Sequence, residues 1–519
     1  MRNRLLIFFS LPCFLFSQNP GDALFSSSLV HDINIEFPQA DYWDSLLYYK
    51  ALGDNTNSDW YMKGRVTIDG LPIDCVGVRL KGNASYGHPG KKKSIKIQFN
   101  EYVQTQEFDN LRSFHLNNSA FDPTMLREKI FLDMLNRHGL PAPRCTFARV
   151  SYNGVYVGLY KIVESIDKRF LNTHFTDNEG NLYKGDPNGT LEWQGTAQSE
   201  YENDYELKTN ETANDWSGLI DLIDRINNSG GAFQQRVEER FNVSQYIKVW
   251  AANNVFVNLD SYFHLAHNYY IYDDTITDKF QWITWDVGIV FGVFPTWFSS
   301  IPAETSITHM YHPMKTRPLN LHLLETPGHA AQYYRELCFW LYNELTTEVL
   351  FPRIDSLANR IRADVLAEPE ENRMFTTMEF EGNLGYEGVS AFLLSADVPG
   401  LKDFIEKRRK SIVRQMCIRR YSCYLNQSYD ESAASDVIIY PNPANEKINI
   451  RFTVPSESNL TACVIADAMG RVVYSGDILL SSGQMECTLV IPGLQDGIYF
   501  MKLSGACEDV SRRILFLND

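Results

Sequence analysis

Between Asn426 and Asp436 the chain changes texture, and that break divides it into two unlike parts. The break is rich in Ser, Asp and Ala. Beyond it come short alternating stretches, Lys447–Phe452, Ala462–Ala466, Arg471–Tyr474 and Ile498–Leu503, separated by Pro, Gly and Ser turns. Alternation with a period of two buries one face of each strand, so residues 437–519 read as a small β-sandwich after a linker at 426–436. From Asp32 to about Leu425 there is no comparable break and no internal repeat.

The larger part predicts an α+β fold. Arg65–Ile68, the Asp69-Gly70 turn and Val76–Leu80 form a hairpin. Ser94–Phe99 is a further strand with Ile95, Ile97 and Phe99 on one face. Asp122-Pro123 opens a helix, with Asp as N-cap and Pro at the first position, and Gly139 ends it. Ala148–Ser151 and Val155–Val163 flank an Asn153-Gly154 turn. Helices are expected near Trp216–Asn227 and Val243–Asn258, strands at Asn268–Tyr272 and Phe280–Thr284, and mostly helix from about Leu319 to Cys417. A strand-rich half before a helix-rich half predicts two lobes with a cleft between them.

Residues 1–17 read as a secretory signal: Arg2 and Arg4, the apolar run Leu5–Phe16, and cleavage after Ser17. No other segment approaches the ~18 apolar residues of a membrane-spanning helix. The net charge of −16 excludes a general nucleic-acid or anionic-membrane binder, because both require a basic footprint. Cys13 leaves with the signal, and the remaining cysteines enter an oxidising compartment. They contain no Cys-x-x-Cys, so a structural zinc site is not expected. Cys417 with Cys423, and Cys463 with Cys487, are candidate bridges; buried free thiols are the alternative.

Three constellations could carry chemistry. Val78 to Ser85 runs a strand with Arg79 and Lys81 on one face into a small-residue turn at Gly82-Asn83, and Lys91 to Ile97 returns through a basic strand. Small residues let backbone N–H groups approach an anion, so this can cradle phosphates; a solvated edge strand has the same composition. Glu128 has apolar helix neighbours at Phe131, Leu132 and Leu135 and needs a cationic partner, for which Lys93 or Lys96 is available. The third is Asp260, then His267-Asn268-Tyr269-Tyr270, then Trp285-Asp286-Val287-Gly288. A proton-accepting carboxylate with a metal-holding Asn and Asp is the equipment of phosphoryl transfer, and turn-capping residues look alike.

Taken in order, these segments resemble the spore coat protein H family of atypical kinases from about Asp32 to Tyr424, within a domain at 18–425. The carrying motifs are Arg-Leu-Lys-Gly-Asn-Ala-Ser at 79–85, Lys-Lys-Ser at 92–94, Asp-Pro-Thr-Met-Leu-Arg-Glu-Lys at 122–129 and Gly-Leu-Pro-Ala-Pro-Arg at 139–144. Asn-Gly at 153–154, Gly-Leu-Tyr at 158–160, Val-Glu at 163–164, Asn-Leu-Tyr-Lys at 181–184, His-Asn-Tyr-Tyr at 267–270 and Trp-Asp at 285–286 follow. The tail from Val437 resembles the type A sorting domain of type IX secretion, through Tyr440-Pro441-Asn442-Pro443-Ala444, Asp467 to Val473 and Leu494 to Tyr499.

The first resemblance implies a two-lobed protein-kinase-like core that binds ATP and magnesium and phosphorylates secreted or surface proteins. It implies Asp260 as the catalytic aspartate and Asn268 and Asp286 as metal-binding residues. Gly82, Asn83, Lys93, Lys96, Glu128 and Glu164 would serve the nucleotide, Glu164 near the adenine. Where the family shows Trp-Asp-x-Asp, this chain has Gly288 at the second Asp. That departure leaves open a surface binding or adhesion protein that keeps the fold without the catalysis. The second resemblance implies an immunoglobulin-like sandwich recognised by the type IX machinery, and a secreted or surface location reached through the periplasm.

Overall fold

The computed structural model describes residues 19–418 and 437–517, apart from 27, 57, 294–301, 309–315, 392–395, 453–460, 479–485 and 505–508. The expected signal at 1–17 and linker at 426–436 lie outside the described residues. The chain divides into two compact units, one reaching Glu336 and resuming over Tyr342–Glu406, the other comprising Leu337–Leu341 and Lys407 onward.

In the first unit seven strands close into a barrel. They are β1 (His31–Glu36), β2 (Met62–Ile68), β3 (Leu71–Leu80), β4 (Ile95–Gln98), β5 (Ser113–Asn117), β6 (Cys145–Tyr152) and β7 (Val155–Glu164). Their order is β1-β2-β3-β4-β5-β7-β6, antiparallel except where β6 meets β1. Alternation decides what faces in. Ile33, Ile35, Val66, Ile68, Val78, Leu80, Ile95, Ile97, Phe114, Leu116, Val150 and Ile162 fill the interior, so their neighbours in sequence must face out.

Helix α1 (Asp22–Ser26) and helix α2 (Tyr42–Thr56) precede and follow β1, and α3 (Arg127–Arg137) joins β5 to β6. The expected helix start, with Asp122 as cap and Pro123 as first position, is corrected by four residues, to a cap at Leu126 and a first position at Arg127. Met125 has φ of 58°, which a helix cannot contain. The Asp122 carboxylate instead accepts from the Thr124 and Arg127 backbones and pairs with the Arg127 guanidinium at 2.6 Å. Gly139, with φ of 67°, closes the far end, and the Leu140 N–H returns to the Leu135 carbonyl.

After β7 comes α4 (Lys168–His174), capped by Asp167. A second antiparallel sheet follows, in the order β11-β10-β8-β9, from β8 (Leu182–Gly185), β9 (Tyr205–Leu207), β10 (Tyr269–Asp274) and β11 (Lys279–Thr284). Helices at Ser217–Asn227, Phe233–Arg240, Val243–Val255, Pro318–Glu325, Pro327–Asn343, Thr347–Leu366, Thr377–Leu384 and Leu401–Ile418 make the rest largely helical. No helix among the described residues is long and apolar enough to cross a membrane.

Helix α3 is held between the barrel and these helices. Phe131 lies edge-on to Phe256, and the buried Arg127 donates to Asn383 at 3.1 Å and to the Pro399 carbonyl at 2.7 Å. Glu344 receives both Arg137 and His138. A further buried ion pair, Lys92–Glu368 at 2.5 Å, ties the β4 approach to the end of the Thr347–Leu366 helix region.

In the second unit, strands Val437–Tyr440, Lys447–Phe452 and Glu486–Val490 form one sheet, and Thr461–Asp467, Val472–Ile478, Gly497–Ser504 and Asp509–Phe516 another. Both contribute to one core around Ile448, Ile450, Ile465, Met501 and Phe516. The candidate bridge between Cys463 and Cys487 is corrected: both are free thiols, one on each sheet. Cys463 is fully buried, and burial pushes its thiol up to about 11, so it acts as a small apolar core residue. The side chain of Cys417 and the whole of Cys423 lie outside the described residues. Cys338 is disulfide-bonded, which no expectation named.

Candidate functional site

The outward face of the barrel roofs a cleft of about 1780 Å³. Register builds that roof in rows. Arg79, Lys96 and His115 are paired across β3, β4 and β5, with Val163 beside them on β7. One row deeper, Asn117 faces Lys161, and Lys81 hydrogen-bonds through its backbone to Ser94. Because the interior takes Leu80, Ile95, Leu116 and Ile162, these polar neighbours must point outward.

Glu128 on α3 meets this second row. Lys161 Nζ lies 2.9 Å from its Oε2, with both side chains 2% exposed. Asn117 Nδ2 donates to the same carboxylate at 3.0 and 3.2 Å. Burial pulls the Lys161 amine down, but the Glu128 and Asp122 carboxylates outweigh it and hold it above its ordinary value. The expected partner, Lys93 or Lys96, is therefore corrected to Lys161. Lys93 lies before β4 and donates to the Tyr86 and His88 carbonyls. Lys96 sits one row away, 3.9 Å from Asp59.

The turn at Gly82-Asn83 lies on the cleft wall, where Gly82 has φ of 95° and a Cβ would collide with Ser85 Oγ. Beside it Lys81 has no ion pair among the described residues. Burial lowers its amine, and Asp286 and Glu128 oppose that effect, so both carboxylates act on it.

The opposite wall comes from the segments flanking β10 and β11. Asp260 accepts from His267 Nε2 at 2.6 Å, and Asn268 Nδ2 donates to the Asp260 carbonyl at 2.9 Å. Burial lowers His267, and the Asp260 carboxylate more than reverses it, so the imidazole holds its proton above the usual range. Asn268 and Asp286 both have left-handed backbones, with φ of 59° and 47°, an uncommon conformation that non-glycine residues adopt where surroundings impose it. The Asp286 carboxylate is reachable from the cleft and has no hydrogen-bonding partner among the described residues. Its side chain is exposed to the cleft, yet crowding by the surrounding protein atoms lifts it above the usual carboxylate range, against the pull of Lys81. Gly288 lines the same wall, where a Cβ would meet nothing closer than Asp286 Oδ1 at 3.8 Å.

Gly82, Asn83, Lys96, Glu128, Asp260, Asn268 and Asp286 thus share one cleft. Lys93 and Glu164 are not among its lining residues. Glu164, the last residue of β7, is fully buried, and its carboxylate accepts from the Arg144 backbone and guanidinium; the cleft edge there is formed by Ser165, Ile166 and Asp167.

A model of the CotH kinase protein family matches residues 78–412, which contain both walls of this cleft. The chain belongs to that family. Inner spore coat protein H of Bacillus subtilis (strain 168) is 30% identical to it over 284 residues, 54% of this chain and 75% of that protein. A secretion system C-terminal sorting domain matches residues 438–516, which makes this CotH-family chain a secreted or cell-surface protein. Solved structures with similar segments include a DUF3244 family protein with an immunoglobulin-like β-sandwich fold from Bacteroides vulgatus, 17% identical over 15% of this chain and 83% of that one, TM-score 0.13. Dimeric latent PorU from Porphyromonas gingivalis is 19% identical over 17% of this chain and 10% of that one, TM-score 0.14. At those scores neither likeness bears on the fold.

Two members of this CotH-family cleft had no role assigned from sequence. Lys161 falls between the Gly-Leu-Tyr and Val-Glu motifs, and its signal is a lone charge inside the apolar run Val157–Val163. His267 belongs to the His-Asn-Tyr-Tyr motif, but only its approach to Asp260 gives it a task.

Proposed function

We propose that this is an exported kinase that transfers the terminal phosphoryl group of ATP to hydroxyl groups of secreted or surface proteins. The observation that carries the reading is one cleft with a clamped cation on its roof and two differently held carboxylates opposite. Lys161 is fixed by Glu128 and Asn117; Asp260 is oriented by His267; Asp286 is unshared.

On this reading Lys81, Lys161 and the backbone around Gly82 receive the phosphates. The acceptor hydroxyl oxygen bonds to the terminal phosphorus as the bond to the leaving ADP oxygen breaks. The hydroxyl proton passes to the Asp260 oxygen that His267 leaves unoccupied. Asp286 and the carbonyl oxygen of Asn268 are hard donors that suit magnesium, which binds one or two protein oxygens and takes the rest from phosphates and water. The ion supplies charge neutralisation on the phosphates. Barrel and helices then correspond to the two kinase-like lobes of a domain at 18–425. The tail at 437–519 is the immunoglobulin-like address read by the type IX machinery, following a signal at 1–17 and a linker at 426–436.

Titration with ATP, with and without magnesium, beside radiolabel transfer to a generic protein acceptor, tests this. Magnesium-dependent binding with transfer supports it. Absence of both sinks it and leaves the second reading, a surface binding protein, which the missing carboxylate at Gly288 favours.

A further inference from the structure

The roof carries more positive charge than the Glu128 group uses. Arg79, Lys96 and His115 stand side by side on three adjacent strands and all line the cleft. Asp59, half-exposed, lies 2.9 Å from Arg79 Nη2 and 3.9 Å from Lys96 Nζ, and the Asp167 carboxylate acts on Lys96 from farther off. Among the described residues the two cations thus have one carboxylate in contact, and that one is solvated. Arg79 Nε and His115 Nδ1 are buried atoms without a hydrogen-bond partner. Such atoms are costly unless something fills them. The His115 ring is held edge-on by Trp285, with centroids 5.1 Å apart. Rigid, unmet polar atoms beside undercompensated cations in an open cleft are what an oxyanion requires.

We propose that Arg79, Lys96 and His115 form an anion subsite for a phosphate-class oxyanion, separate from the Glu128–Lys161 pair and from Asp260 and Asp286. The subsite stands whether or not the cleft transfers phosphate. Only the origin of the oxyanion rests on the kinase reading: a phosphate of the nucleotide, or a phosphorylated residue of a protein substrate.

Filling the subsite has a proton signature. Burial, then Lys81, Lys96, Arg79 and Lys184, keep His115 well below its ordinary value. Those are its charged neighbours on β3 and just past its end, on β4 and on β8; β7 offers Val163, and Trp285 faces it from beyond β11. Lys184 is itself occupied by Asp186 and Glu206. Burial and Arg79 also bring Lys96 down to about 8. An oxyanion opposes this field, so the imidazole pKa should rise as the subsite fills.

The test follows the His115 ring by NMR in the full-length protein while pyrophosphate, phosphoserine or ATP is added. An adjacent oxyanion should raise its pKa by ~1–3. Lys96→Met should abolish the response and weaken pyrophosphate binding, measured calorimetrically, by ~10-fold or more, while Lys96→Arg retains both. A response to phosphoserine that survives Asp286→Asn assigns the subsite to the protein substrate. A response to magnesium–ATP alone, lost in Asp286→Asn, assigns it to the nucleotide. Asp286→Asn also separates the two ideas, because it should abolish phosphoryl transfer without touching the row. A His115 titration unmoved by all three ligands overturns the subsite, as does an unchanged pyrophosphate affinity in Lys96→Met.

Discussion

Lys161 Nζ stands 2.9 Å from Glu128 Oε2, and each side chain is 2% exposed. A strand of the barrel and the helix beside it are thus joined by an ion pair with almost no water. Removing one partner leaves the other charge buried alone. Lys161→Met should cost ~3–5 kcal/mol, read from denaturant midpoints, and the Lys161→Met, Glu128→Leu double variant should recover part of that loss. Both should bind ATP more weakly than the parent. An unchanged affinity would remove the pair from the nucleotide site.

Asp260 and Asp286 should fail in different ways. Asp260→Asn keeps Asp286 and Asn268, so magnesium–ATP binding should persist while transfer falls by ~10²–10⁴-fold. Asp286→Asn removes a charged oxygen from a hard cation and should weaken the metal-dependent part of binding itself. Equal loss of binding in both variants would contradict this division of labour.

Gly288 is a position where a side chain fits, since a Cβ there meets nothing closer than 3.8 Å. Gly288→Asp should therefore melt within a few degrees of the parent, and it restores a second carboxylate beside Asp286. Transfer should rise if the natural chain is limited by its metal site. A large fall in melting temperature would mean that the space is not there in solution.

His267 offers a pH test. Asp260 raises its folded pKa against burial, so this pair stabilises the fold fully below the ordinary imidazole value of ~6.5. The contribution is lost as pH rises through the raised value. Asp260→Asn should lower the His267 titration seen by NMR and flatten that limb of the stability profile. A His267 pKa that does not fall would show the imidazole to be held by other groups.

The tail carries the sorting match at 438–516. Deleting 437–519 should leave the chain in the periplasm, as judged by fractionation. Surface display of the truncated chain would refute the assignment of the address to the tail.

Much of the molecule is legible in residue order alone, because its signals are local. Asp69-Gly70 and Asn153-Gly154 make their turns through positive φ, and alternation in Ile95, Ile97 and Phe99 marks a buried face. Spaced motifs from Arg79 to Asp286 are enough to indicate the family. What only the tertiary structure decided is pairing. Whether Lys93, Lys96 or Lys161 meets Glu128 depends on which row of the barrel each occupies, and a row is set by the register of strands far apart in sequence. The start of α3 escaped for a related reason: Asp122-Pro123 has the local form of a cap, but the left-handed Met125 and the buried Arg127–Asp122 contact delay the helix. Glu164 likewise turned to Arg144 across the neighbouring strand, a choice made by a partner twenty residues away rather than by its own surroundings in the chain.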